Sequence, residues 1–207
     1  VEDAVEWLRP IAEVGVDDVS LSSDLLHGDA MMTQEARNAV EAAKRLGLSE
    51  SIISIEPPEG YTSCSEKGKG EPITGGEVRF RGRAAVTLTE GVARRPWTEF
   101  TECPDEDFVD VGRVHVDAYG NVHGCQGVVI GNLWQQPLKE IAASYDPSAH
   151  PIVGPLMEGG PVALVERYGL PHEESYADAC HLCYSARDGL RARFPEYLTP
   201  AQVYGEM

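Results

Sequence analysis

Cys180-His181-Leu182-Cys183, within the stretch Tyr176–Arg187 (YADACHLCYSAR), constrains this chain more than any other feature. Its two thiols lie two residues apart, and Cys103 and Cys125 stand upstream of them. A tetrahedral zinc ion or a [4Fe–4S] cube needs four convergent thiolates. A fold that meets this need must bring three separated stretches of backbone to one place. The base and return strand of a hairpin can supply Cys103 and Cys125. A C-x2-C turn at a helix start can supply Cys180 and Cys183, with backbone N–H groups aimed at the sulfurs. Haem attachment needs C-x-x-C-H, and Tyr184 stands where that histidine belongs. A thioredoxin-like dithiol follows a strand early in a βαβ unit, whereas this pair comes late. Unrelated buried thiols are the bland alternative.

The chain has five cysteines, an odd number, and shows no sign of export, so metal ligation or free thiols are expected rather than a disulfide framework. Cys64, in the Gly/Lys-rich segment TSCSEKGKG, reads as a free thiol. His115, His123 and His181 lie near the other cysteines and could each replace a thiolate at zinc, but four cysteines already complete a shell.

The front of the chain alternates helix and strand. VEDAVEWLRPIAEVG has helical spacing at Val5, Leu8, Ile11 and Ala12. Val19 and Leu21 alternate with polar residues as in a strand. TQEARNAVEAAKRLGL predicts a helix capped by Thr33 and stopped at Gly47, and SIISIEPPE predicts a second strand. Strand, helix, strand in this order implies a parallel pair. Ligands of such folds gather at the carboxyl ends of strands, which makes Asp24, His27 and Glu56 candidate cofactor-binding residues. The alternative for each is a solvated loop residue.

Residues 60–76 read as a loop or linker and EVRFRGRAAVTL as a short strand. GRVHVDAYGNVHGC predicts a hairpin turning at Tyr119-Gly120-Asn121. Beyond it, IGNLWQQPLKEIAASY predicts a loop and helix, PSAHPIVGPLMEGGPVALVERYG is partly helical, and the C-x2-C stretch is helical.

A net charge of −17 argues against a nucleic-acid-binding surface, which needs clustered Lys and Arg. No apolar run approaches the length of a membrane span. Val1 to Pro10 carries three acids and no apolar signal region, so a cytoplasmic location is expected. Opening on a helical pattern without Met is what a piece of a longer protein would show.

The block GRVHVDAYGNVHGCQGVVIGN carries Gly120-x4-Cys125 and then Gly131-Asn132; Cys103 precedes it and Cys180-x2-Cys183 follows. In that order these features resemble the auxiliary-cluster region of radical S-adenosylmethionine (SAM) enzymes, the SPASM domain or its shorter twitch form. Four cysteines are nearer to the twitch form. The resemblance implies an α/β fold, with residues 1–76 the C-terminal strands and helices of a partial (β/α) barrel plus a linker loop. Residues 77–207 would then be a small α+β twitch-like cluster domain. It further implies one auxiliary [4Fe–4S] cluster on Cys103, Cys125, Cys180 and Cys183, used for electron transfer or substrate handling. S-adenosylmethionine and a second cluster would belong only to a longer protein, because the family's C-x3-C-x2-C motif is missing here. This chain alone should therefore be inactive. The implied partners are a peptide or small-molecule substrate, the missing N-terminal half of the barrel and an electron donor such as flavodoxin or ferredoxin, with no nucleic acid and no membrane. Two other readings stay open: a non-catalytic four-cysteine zinc module, and a redox-inactive subunit docking on a separate barrel.

Overall fold

The computed structural model describes residues 1–26, 31–56, 58 and 75–205. These fall into two units, one holding residues up to 58 together with 75–78, the other residues 79–205. The chain is mixed α/β, built on three small sheets, with no closed barrel among the described residues.

The first unit contains α1 (Glu2–Glu13), β1 (Asp18–Ser22), α2 (Gln34–Arg45), β2 (Ser49–Glu56) and β3 (Gly75–Glu77). The strands form a parallel sheet in the order β1-β2-β3, with Asp18 opposite Ser49 and Ser22 opposite Ile53. Helix α2 starts where the sequence places it: the Thr33 hydroxyl accepts the Ala36 amide at 3.2 Å, and Ser23 Oγ accepts the Thr33 amide. Val5 and Leu8 of α1 pack on Ala42, Ala43 and Leu48, so the two helices share one apolar cluster.

The expected strand over 77–88 is largely absent. Only Glu77 belongs to a strand, and Arg83–Thr87 form a single helical turn, α3. The physical reason is local. Gly82 turns the chain just before two alanines, good helix formers, and Ala85 is buried.

The second unit continues with β4 (Arg95–Pro96), a 3-10 turn (Trp97–Glu99), β5 (His115–Val116), β6 (Asn121–Cys125), β7 (Val128–Asn132), α4 (Leu138–Ser144), α5 (Val153–Tyr168), β8 (Ser175–Tyr176), α6 (Ala179–Leu190) and a final 3-10 turn (Ala201–Tyr204). Strands β4 and β8 pair antiparallel. The expected hairpin is present as β5–β6, with His115 opposite His123 and Val116 opposite Val122, and β7 adds a third antiparallel strand. Asp117 builds the turn, its carboxylate accepting the amides of Tyr119 and Asn121 and the Asn121 side chain. Asn132 donates to the Tyr119 carbonyl and to Asn121 Oδ1, which ties β7 to the tip. Behind the sheet, Phe100, Phe108, Val128, Ile152, Leu156, Leu164, Leu182 and Leu190 form the core.

Among the described residues no helix is long and apolar enough to cross a membrane.

Candidate metal centre

Three local devices bring the four cysteines to their places. Cys180 and Cys183 occupy the first turns of α6, whose N-cap Asp178 accepts the His181 amide at 2.6 Å. The other oxygen of Asp178 accepts the Phe80 amide at 3.3 Å, which ties residues 79–81 to the start of α6. Cys125 ends β6. Cys103 follows the 3-10 turn in an irregular segment lodged against α5.

That lodging depends on Gly159-Gly160-Pro161, where the backbone of α5 leaves helical geometry. Gly160 has φ +64 and ψ −157, and a Cβ there would lie 2.3 Å from the Glu102 nitrogen. Only glycine holds that backbone conformation comfortably and lets the Thr101–Glu102 chain approach so closely. The Val162 amide, just past the break, donates to the Phe100 carbonyl at 3.3 Å. Cys103 is therefore set by a gap in a helix 57 residues further along the chain.

All four cysteines line one pocket, and all four are free, partly buried thiols. Phe108, Val128, Leu156 and Pro161 form its apolar wall, and Arg81 and Arg187 its cationic one. Among the described residues no three His, Cys, Asp or Glu side chains close to the spacing that a single metal ion requires. For zinc that spacing is about 3.8 Å between sulfurs, from a Zn–S bond of about 2.3 Å in a tetrahedron.

Burial governs the thiols. It pushes Cys103 up to about 12, aided by the charge of Cys125 and opposed by backbone N–H bonds from Asp105 and Glu106 to its sulfur. Cys180 is raised by burial and then by Asp178 and Asp105, and its S–H donates to Asp105 Oδ2 at 3.2 Å. Burial also raises Cys183, against the hydrogen bond and charge of Arg187. Metal-free, these three thiols are neutral at pH 7.

The surrounding cations are arranged in pairs with acids, with one exception. Arg79 pairs with Asp105 at 2.6 Å. Arg113 Nη2 donates to both oxygens of Glu106, at 3.1 and 3.0 Å, and Glu106 is buried. Arg81 lies 3.9 Å from Glu106, and its Nη1 lies 3.6 Å from Cys125 Sγ. Arg187 is 2% exposed and donates to the carbonyls of Gln126 (2.9 Å) and Cys183 (3.4 Å). Among the described residues no carboxylate lies within 4 Å of it.

Of the candidate rim residues of the other unit, Asp24 and Glu56 are among the described residues. Asp24 is fully buried, and its carboxylate accepts the amides of Leu26 (2.9 Å) and Ile55 (3.0 Å). Glu56 is exposed at the end of β2, and His27 lies outside the described residues, as does Cys64.

Sequence reasoning passed over Arg81 and Arg187, yet both leave a trace. Cys180, Cys183 and Arg187 stand at i, i+3 and i+7, one stripe of α6, so the arginine shares the face of the thiols. Arg79 and Arg81 alternate around the buried Phe80.

The four thiols form a donor set suited to a metal centre held by thiolates, whose negative charge would face the buried guanidinium of Arg187. No family model matches the chain, and neither does any curated protein or solved structure.

Proposed function

We propose that residues 79–205 form a twitch-type auxiliary domain of a radical SAM enzyme, holding one [4Fe–4S] cluster on Cys103, Cys125, Cys180 and Cys183. The observation that carries this reading is that thiols from three separated stretches of chain line a single pocket. The parallel β1-β2-β3 sheet with its α2 crossover supports reading the first unit as the last strands of a partial barrel.

When bound, such a cluster supplies one-electron transfer. The chain's own residues do the rest. The Asp105 and Glu106 amides hold the Cys103 sulfur, and Arg187 and Arg81 face Cys183 and Cys125. Phe108, Val128, Leu156 and Pro161 keep water from the sulfurs. With four cysteine ligands no position is left open to a substrate, which favours electron transfer over substrate binding. A separate electron donor, such as a flavodoxin or ferredoxin, and a peptide or small-molecule substrate complete the proposal.

Iron, sulfide and zinc analysis of anaerobically purified and reconstituted protein, with an absorption spectrum, tests it. About four irons and four sulfides per chain are expected. Cys180→Ser and Cys183→Ser should lose them, and Cys64→Ser should keep them. One zinc and no iron after anaerobic reconstitution would replace this reading with a structural zinc module.

A further inference from the structure

A buried cation needs a counter-charge, and Arg187 has none from a carboxylate. Its hydrogen bonds go to two neutral carbonyls and to the Cys183 thiol. Tyr204, whose ring centre lies 5.8 Å from the guanidinium carbon, is itself pushed up to about 12 by burial, so it is neutral too. The nearby acids face other groups: Asp105 pairs with Arg79, Glu106 with Arg113 and, at 3.9 Å, with Arg81, and Asp178 accepts the Phe80 and His181 amides. Arg81 adds a second positive charge on the same pocket, beside Cys125. Metal-free, the buried Arg187 therefore has no anion paired with it, which burial makes costly. Thiolates ligating a metal would supply one.

We propose that the guanidiniums of Arg81 and Arg187 are the built-in counter-charges of the metal-loaded site, and that they raise its reduction potential. This rests on the cluster reading above. Taking one electron from a one-electron donor such as dithionite makes and breaks no bond and adds one negative charge to the site. Fixed positive charges a few ångströms away stabilise that extra charge more than the state before it. With the cations already in place, no proton need accompany the electron. Both arginines are thus positioning residues that act through the ligands.

The test is a redox titration of anaerobically reconstituted wild type, Arg81→Gln and Arg187→Lys, with iron and sulfide counted on each. Arg81→Gln keeps a hydrogen-bonding group and removes the charge; Arg187→Lys keeps the charge and removes the planar fork. Arg81→Gln should load fully but be harder to reduce, its reduced-to-oxidised ratio at the wild-type midpoint falling about tenfold or more. Arg187→Lys should hold the wild-type midpoint. A fully loaded Arg81→Gln with an unchanged midpoint overturns the proposal, as does an Arg187→Lys midpoint that drops as far. If Arg81→Gln keeps its circular dichroism but loads no iron, normal loading by Arg187→Lys supports the charge role, and failure of both overturns it. Wild-type protein that takes up no iron would remove the cluster reading itself, a result distinct from all of these.

Discussion

His150 shows how much one side chain can hold. Its Nδ1 accepts the amides of Ile152 and Val153, both at 3.1 Å, at the start of α5, and its Nε2–H donates to the Val129 carbonyl at 3.0 Å. The imidazole does the work of a helix cap and ties α5 to β7, but only while neutral, because a protonated Nδ1 cannot accept. Burial accordingly lowers its pKa below the ordinary 6.5, with the bond to Val129 opposing. The unfolded chain then binds a proton that the folded one refuses. The stabilisation is complete above pH 6.5 and drains away as pH falls from there through the folded value. His150→Gln should cost about 1–2 kcal/mol at pH 8 and less at pH 5, measured as denaturant midpoints across that range. A penalty that is flat with pH would count against the cap. This role was not legible in the sequence, where His150 is one histidine among six in a Pro- and Gly-punctuated stretch. The four cysteines were legible, because spacing alone singles them out.

Among the elements, the hairpin and the C-x2-C helix could be read in advance, since their turn and cap residues are local: Asp117, Gly120, Asp178. Strand β7 could not be separated from a loop, as a short apolar run gives no period to judge. The break in α5 was hidden for another reason. Gly-Gly-Pro announces an interruption, but not that a distant backbone fills it. Gly160→Ala should cost roughly 3 kcal/mol from backbone strain and overpacking, and should lower metal content because Cys103 moves with Glu102. Thermal denaturation with metal analysis would check both; a stable variant that loses metal would separate geometry from folding. Gly120 is the gentler case. Its φ is +77, and an added Cβ would meet the Trp134 indole at 2.5 Å, but that ring is 78% exposed and can swing away. Gly120→Ala should cost about 1 kcal/mol, mostly backbone strain, and shift Trp134 fluorescence.

At the scale of the whole molecule, an acidic chain gathers arginines at one site. The chain carries −17, yet Arg79, Arg81, Arg113 and Arg187 are gathered around one pocket. The described residues also divide into two units with separate apolar clusters. Metal removal should therefore be felt unevenly. Hydrogen exchange of chelator-treated against loaded protein should speed up across residues 79–205, above all in α6 and β6, and leave α1, α2, β1 and β2 unchanged. Uniform loss of protection would mean that the two units unfold as one.

The final 3-10 turn has a consequence for how firmly α6 is held. Tyr204 donates its hydroxyl to the Gly127 carbonyl, accepts the Tyr184 hydroxyl at its own carbonyl and stacks on that ring, with Arg187 and Arg191 beneath it. Tyr204 thus clasps the end of the described chain to the turn between β6 and β7 and to α6, the helix that carries Cys183 and Arg187. Removing the hydroxyl, as in Tyr204→Phe, should loosen that clasp and speed hydrogen exchange in α6 while leaving the first unit unchanged.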